Sequence, residues 1–432
     1  KLLKFYLSSW SSFWGPPQKD GIYMEVNVKE GYKKTDIGLI PIDWEENSLE
    51  SIGDFVNGKP HESKVISSGE HFLITIDSIN IDGELKAEHK RINSSGNFLH
   101  KGDIVIILSD IAHGYLLGLC DVIPEDNKYV LNQRVGRLSC HTEFAPQYIR
   151  YQINRNQNHF RMRGQGTSQR HIYKRDIDEL FIPIPYTFKE QKTIAEVLSD
   201  VDGYIESLEK LIAKKRMIKQ GAMQELLTGK RQLSGFRGKW KEKKIEDITE
   251  IVSGGTPRTK NVEYWDGQID WCTPTDITNT KGKYLCHTER RITESGLKNS
   301  SASLLPPGTL LLCSRATIGE VKIAAKRICT NQGFKCLICS DEVQNEFLYY
   351  LILTMKSKLI EKSNGSTFLE ISKKDIGGIE IKLPLYDEQN AIVEILSDMD
   401  EEIIELEKKL RNVCQIKQGM MQELLTGKIR LI

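Results

Sequence analysis

The sequence predicts an α+β chain built twice, each half a mixed helix-and-strand domain followed by one long helix, the halves forming a pseudo-twofold internal repeat. Three observations point there. Residues Ile218–Lys230, IKQGAMQELLTGK, return as Ile416–Lys428, IKQGMMQELLTGK, and the match runs without a gap at an offset of 198 from Gln191/Gln389 to Leu233/Leu431. Inside it the apolar residues keep a heptad spacing. Ahead of each copy lies a segment of short β-branched runs and glycine turns that repeats more loosely.

The helices come first because their pattern is the most regular. Ile194, Leu198, Val201, Ile205, Leu208 and Ile212 follow one another at steps of four and three, and Ile392, Leu396, Met399, Ile403, Leu406, Leu410 and Val413 repeat the seam. Each helix follows a proline-marked strand, FIPIPYTFKEQ or IEIKLPLYDEQ, and Gly229 or Gly427 is expected at the C′ position that stops it. From Gln191 to Leu227 such a helix is about 55 Å long. Neither can bury its seam alone, so pairing with the other copy is the economical solution; the alternative is two helices each packed on its own domain.

The domains repeat at particular points. Leu39–Ile52 parallels Phe236–Ile248, Gly102–Ile107 parallels Gly308–Cys313, Leu131–Gln133 parallels Thr330–Gln332, and Gly166–Ile177 parallels Gly365–Ile376. Strands are expected at Phe72–Ile76 and Thr309–Leu312, and a helix near Pro146–Asn156 and Asn345–Leu359. The resulting order is a domain at 24–188, a conserved helix at 189–230, a second domain at 231–387 and a second helix at 388–432. Residues 1–23, KLLKFYLSSWSSFW followed by GPP, read as a leader or vector-derived segment outside the fold, with Met24 as a candidate start.

Composition narrows the classes. The 432 residues hold 60 Lys and Arg against 59 Asp and Glu, so any polyanion site has to come from local clustering. No apolar run is long enough to span a membrane. Nine cysteines, an odd number without a credible export signal, read as reduced thiols in a cytoplasmic protein. Cys336-x-x-Cys339 lacks a second metal-binding pair and sits in the apolar run FKCLICS, so buried strand cysteines are expected and no metal.

Local chemistry then marks two clusters. NRNQNHFRMRGQGTSQRHIYKR, Asn154 to Arg175, carries Arg155, Arg161, Arg163, Arg170, Lys174 and Arg175 without one acid. Cations neutralise phosphates, while Gln165, Gln169, Arg170 and His171 around the Gly166-Thr167-Ser168 turn offer paired donors and acceptors for base edges. The equivalent region of the second half has Lys356, Lys358, Lys362, Lys373 and Lys374 around Gly365-Ser366-Thr367. The second domain adds Ser253-Gly254-Gly255-Thr256-Pro257-Arg258-Thr259-Lys260, either a phosphate-binding turn or an ordinary tight turn.

At this point the motifs carry a resemblance. SGGTPRTKNVEYWDGQIDWCTPTDIT, LLPPGTLLLCSRATIGEVKIA with TNQGFKCL, NGSTFLEISKKDIGGIEIKLP and EQNAIVEILSDMDEEIIELEKKL resemble the DNA specificity subunit of type I restriction-modification systems, from Tyr32 to Ile432. The resemblance implies two target-recognition domains, each reading half of a split DNA sequence, and two helices paired as an antiparallel coiled coil that sets the gap. It implies two methyltransferase subunits as partners, with two restriction subunits where cleavage occurs. It further implies no cofactor on this chain, with S-adenosylmethionine, ATP and Mg on partner subunits. DNA contact is then expected from Arg155, Arg161, Arg163, Gln165, Thr167, Ser168, Gln169, Arg170, His171 and Lys174 in the first domain. In the second it is expected from Thr256, Arg258, Lys260, Arg315, Lys356, Lys358, Ser366 and Thr367. Partner contact is expected from Lys219, Gln220, Glu225, Lys230, Lys417, Gln418, Glu423 and Lys428, although core packing also explains Leu226, Leu227, Leu424 and Leu425. The first domain departs from the pattern: Asn57-Gly58-Lys59-Pro60 stands where the second has SGGTP, and Gln169-Arg170 replaces Phe368-Leu369.

Two other classes compete. An adenine methyltransferase needs an Asn/Asp-Pro-Pro-aromatic motif, and Pro306-Pro307 is followed by glycine. His113, His141, His171 and His287 are scattered without a partner pattern, so a non-catalytic chain is expected. The remaining alternative is a coiled-coil scaffold that does not touch DNA.

Overall fold

The computed structural model describes residues 30–94, 96, 98–111, 114–364 and 369–431. The leader expected at 1–23 lies outside the described residues. The chain divides into two compact units, one running to Tyr204 and completed by the tail from Val413, the other continuous from Ile205 to Asn412.

In the first unit a four-stranded antiparallel sheet runs Gly53–Asn57, Val135–Cys140, Ile104–Ile107, Cys120–Val122. Beside it is a three-stranded sheet, Tyr129–Leu131, His71–Ile74, Lys90–Ile92, whose first pair is parallel. The second unit repeats this order with Thr249–Ser253, Phe334–Cys339, Leu310–Cys313 and Val321–Ala324, and adds Tyr284–Leu285 as a parallel edge. Its small sheet is Arg290–Ile292, Trp265–Cys272, Cys329–Thr330, again with one parallel pair.

Both central strands are buried along their whole length, IVII and LLLC, because each sheet is covered on both faces. Alternation divides them. Ile104 and Ile106 enter one core and Val105 and Ile107 another, as Leu310 and Leu312 enter one and Leu311 and Cys313 another. The same alternation answers the Cys336-x-x-Cys339 question, since residues three apart on a strand face opposite sides. Burial pushes both thiols up to about 12. Among the described residues no three His, Cys, Asp or Glu side chains gather as metal ligands, and no helix is long and apolar enough to cross a membrane.

The long helices run Phe188–Leu226 and Tyr386–Leu424. Each begins in the unit of its own domain and ends in the other, so the start of one and the end of the other lie together twice. Ile194 and Leu198 share a core with Leu424 and Leu425, and Ile392 and Leu396 share one with Met223, Leu226 and Leu227. Within the second unit Lys215 pairs with Glu402 at 2.6 Å; Arg216 pairs with Glu407, Lys219 with Asp400, and further on Met223 and Leu227 share a core with Leu396 and Ile392, so the helices are antiparallel. Both expected alternatives thus hold in part: the helices pair with each other, and each also packs on a domain.

The repeated residues make repeated bonds. Gln191 Oε1 accepts from Ala145 N–H at 2.9 Å, and its Nε2 donates to the carbonyls of Glu143 and Pro185. Gln389 does the same with Gln344 at 2.8 Å and with Glu342 and Pro384. Tyr151 donates to Asp202 at 2.6 Å while Lys417 pairs with that carboxylate; Tyr350 donates to Asp400 at 2.7 Å while Lys219 pairs with that one. At the end of the second helix Lys428 N–H donates to Glu423 O at 2.9 Å and Gly427 N–H to Leu424 O at 3.2 Å, with Gly427 at φ 70°. Gly427 is therefore the C′ residue, and a Cβ there would lie 2.4 Å from Pro41 Cγ.

Candidate nucleic-acid interface

In the first domain the Gly-rich stretch folds as a hairpin. Gln165 and His171 exchange backbone hydrogen bonds of 2.9 and 2.8 Å, and Gly166 turns the chain at φ 110°, where a Cβ would lie 2.1 Å from Gln169 O. Only glycine fits that turn. Gln169–His171 pairs antiparallel with Ser109–Ile111, and Gln169 Nε2 donates to Ser109 Oγ at 3.1 Å. Arg163, Gln165, Thr167 and Ser168 are exposed at or beside the tip, and Arg155 is exposed at the end of the helix Pro146–Arg155.

The rest of the cluster is partly committed. Arg170 donates to Gly164 O at 2.8 Å, and Arg161 lies 5.0 Å over the Tyr115 ring. Lys174 pairs with Asp178 at 2.9 Å and Arg175 with Glu179 at 2.6 Å. The acid-free run thus finds two acids immediately after its end, one helical turn on. Lys174, read from its sequence context as a cation for DNA, is thus matched by an acid one helical turn on.

In the second domain the described ends of the corresponding segment repeat the closing bonds with other side chains. Asn364 and Glu370 exchange backbone bonds of 2.9 and 3.0 Å, and Ile371 N–H bonds to Ser314 O as Ile172 N–H does to Leu108 O. Ser366 and Thr367 lie outside the described residues. Where the first hairpin has His171, the second has Glu370, held by Arg315 at 2.6 Å and by the buried Lys335 at 3.4 Å. The Arg315 guanidinium holds the Glu370 carboxyl below the ordinary carboxylate value. A carboxylate with a lowered folded value contributes stability above its unfolded value, and that contribution fades as pH falls through the folded one. Lowering the pH below the usual carboxylate range is therefore expected to reduce the protection of the Asn364 and Glu370 amides, each exchange rate being taken relative to its intrinsic rate at that pH, with Gln165 and His171 as the internal reference. An equal fall in protection in both hairpins would remove the role of this ion pair.

Lys356 pairs with Glu320 at 2.6 Å, and Lys358 Nζ reaches Glu380 O at 3.5 Å. Arg258 and Lys260 are exposed, whereas the Thr256 hydroxyl donates to Gln332. The 253–260 loop is more than a tight turn. Trp271 Nε1 donates to Gly255 O at 2.9 Å and Trp265 Nε1 to Arg258 O at 3.4 Å, fastening the loop to the small sheet. A Cβ at Gly254 would lie 1.9 Å from Asn331 O, and one at Gly58 of the first domain 1.9 Å from Asn132 O. The departure of Asn57–Pro60 from SGGTP changes side chains while the close backbone approach persists.

The partner-facing set divides likewise. Lys219 and Lys417 direct their ammonium groups to Asp400 and Asp202 and act as clamps within the units. Their alignment at 198 residues' offset was visible, but not the acids opposite. Gln220, Glu225, Lys230, Gln418 and Lys428 are exposed, with Glu225 3.8 Å from Arg231 and Glu423 3.5 Å from Lys428. Sequence reasoning also passed over Arg290, whose guanidinium carbon lies 3.7 Å over the Trp265 ring.

One backbone frame used twice with different surface side chains, joined by near-identical helices, defines a two-domain DNA-specificity protein. The chain belongs to the type I restriction modification DNA specificity domain family, whose model matches residues 41–215 and 237–415. It is 44% identical over 178 residues to the type I restriction enzyme MjaIX specificity subunit of Methanocaldococcus jannaschii, a match spanning 41% of each chain. It is 27% identical to the putative MjaX specificity subunit of the same organism, covering 95% of this chain and 99% of that one. Among solved structures, the S subunit from M. genitalium superimposes with a TM-score of 0.56 at 18% identity over 89% of this chain and 96% of that one. A chain from a study of complex assembly in the type I R-M system gives 0.59 at 17% identity over 90% and 99%.

Proposed function

We propose that this chain is the sequence-reading, non-catalytic subunit of a type I restriction-modification complex, each domain contacting one half of a split DNA target. The single observation that carries this is the hairpin pair: Gln165–His171 and Asn364–Glu370 share their backbone bonds while presenting different side chains. Exposed Arg163, Gln165, Thr167 and Ser168 are the first-domain candidates for DNA contact, and Arg258 and Lys260 those of the second. Lys356, matched by Glu320, serves phosphate positioning if it exchanges partners on binding. The repeated exposed surface of the helix ends, Gln220, Lys230, Gln418 and Lys428, offers two equivalent places to two modification subunits. Adenine methylation, S-adenosylmethionine, ATP and Mg belong to partner subunits in this reading, and the complex works in the cytoplasm.

Mapping of methylated adenines in cells expressing the chain with its modification subunits tests this. The expected result is a bipartite motif with a fixed gap, and replacing Arg163, Gln165 and Gln169 together alters one half only. A motif that stays unchanged, or changes in both halves, overturns the assignment of that hairpin. An absence of salt-dependent DNA binding by the complex supports the scaffold instead.

A further inference from the structure

We infer that each domain carries a second, sequence-independent DNA contact on its small sheet, with Lys90 in the first domain and Arg290 in the second holding backbone phosphates. The inference rests on the DNA-reading function proposed above. Lys90-Arg91-Ile92 and Arg290-Arg291-Ile292 occupy one register. Leu73, Phe72 and His71 pair with the first triplet, and Trp271, Asp270 and Ile269 with the second.

Alternation along a strand sends the middle residue to the opposite face from its neighbours. There Arg91 lies 4.8 Å over the Phe72 ring and donates to Gly69 O at 3.3 Å, and Arg291 stands 3.6 Å from Asp270. These middle cations are internally occupied. Lys90 and Arg290 share the face of the buried Ile92 and Ile292 but are themselves exposed, and neither has a carboxylate within ion-pair distance among the described residues.

Arg290 is also held in place. It lies 3.7 Å over Trp265 and 5.4 Å from the centroid of Trp271, the two indoles that hold the Arg258 and Gly255 carbonyls. A guanidinium lying on an indole keeps its plane and its charge, so little freedom is lost when it grips an anion. In the first domain the corresponding loop is tied to the same strand, with Ile66 N–H donating to Arg91 O at 2.9 Å. That places Lys64 on the segment beside the Lys90–Ile92 strand, where Val65 bridges Ile92. The two domains differ in their hairpins but keep this cation, and the part of duplex DNA common to all targets is its phosphate backbone.

The test measures affinity of the full chain with its modification subunits for fluorescent random-sequence duplex DNA, from about 50 to 200 mM salt. Arg290→Gln keeps side-chain bulk on Trp265 without the charge, and Lys90→Gln does the same in the first domain. Each is expected to lower the slope of log affinity against log salt by about 1, and the pair by about 2, with the methylated motif unchanged. Arg290→Lys restores the slope. Folded Gln variants with the wild-type slope overturn the inference and leave the reading function standing, as does an altered half-site, which makes Arg290 a base reader. Should the wild-type complex show no salt-dependent binding, both fall together. Tryptophan fluorescence reports whether the Trp265–Trp271 pair is intact; if Arg290→Gln loses it, Lys90→Gln alone carries the decision.

Discussion

Leu425→Ala is expected to loosen the amino-terminal unit, although Leu425 lies more than two hundred residues beyond that unit's last strand. Its side chain is completely buried in a core with Tyr148, Ile149, Ile194 and Leu198, and Leu425 O accepts from Gln152 Nε2 at 2.8 Å. Removing a buried leucine side chain costs about 3 kcal/mol, through lost transfer energy and the cavity left behind. Amide exchange through opening of the first unit should then speed up about a hundredfold. Hydrogen exchange read by mass spectrometry should show it in Ile104–Ile107, Val135–Cys140 and Pro146–Arg155, with Ile205–Asn412 unchanged. Leu227→Ala is the reciprocal experiment, since Leu227 is buried with Phe347, Tyr350 and Ile392 and should loosen only the second unit. Loss of protection in the unit of the residue's own repeat half would contradict this packing.

Arg150→Met is expected to cost about 3 kcal/mol in the first unit, because removing one partner of a buried ion pair leaves charge without its match. Arg150 is 4% exposed. Its Nε lies 3.1 Å from Asp121, its Nη1 3.3 Å from Asp202, and its Nη2 donates to Gly83 O at 2.9 Å. Asp202 keeps Lys417 and Tyr151, and Asp121 keeps the amides of Leu85 and Val122, so the loss falls at the low end of the range for such pairs. Adding Asp121→Asn should recover part of it, and a double-mutant cycle by chemical denaturation measures the coupling. A single-variant loss below about 1 kcal/mol would rank the pair with surface ion pairs. The second unit offers the contrast: Tyr349 stands at the equivalent place and needs no acid.

The helices were legible because a heptad seam is a local pattern, and their stop was legible because a glycine at positive φ has a local cause. The strands Ile104–Ile107 and Leu310–Cys313 showed as apolar runs for the same reason. The candidate site was legible in part. Arg163, Gln165, Thr167 and Ser168 are exposed around a glycine-enforced turn, as their composition implied, but Lys174 and Lys356 are matched by Asp178 and Glu320. An ion pair across 36 residues of sequence leaves no local trace. Lys219 and Lys417 mark the same limit, since the acids that hold them lie on the other helix. Arg290 escaped notice because a cation in a polar stretch looks solvated until its tryptophan neighbour is placed beneath it.

By itself the sequence determined that the chain is duplicated, that two seamed helices follow two mixed domains, and that an Arg- and Gln-rich turn marks the surface of the first. Which helix end closes which domain was decided by the tertiary structure alone. Leu226-Leu227 and Leu424-Leu425 sit in nearly identical sequence, so nothing local distinguishes the core each will enter. The choice is made by the core that each 39-residue helix enters at its end, Leu226 and Leu227 joining the second unit and Leu424 and Leu425 the first.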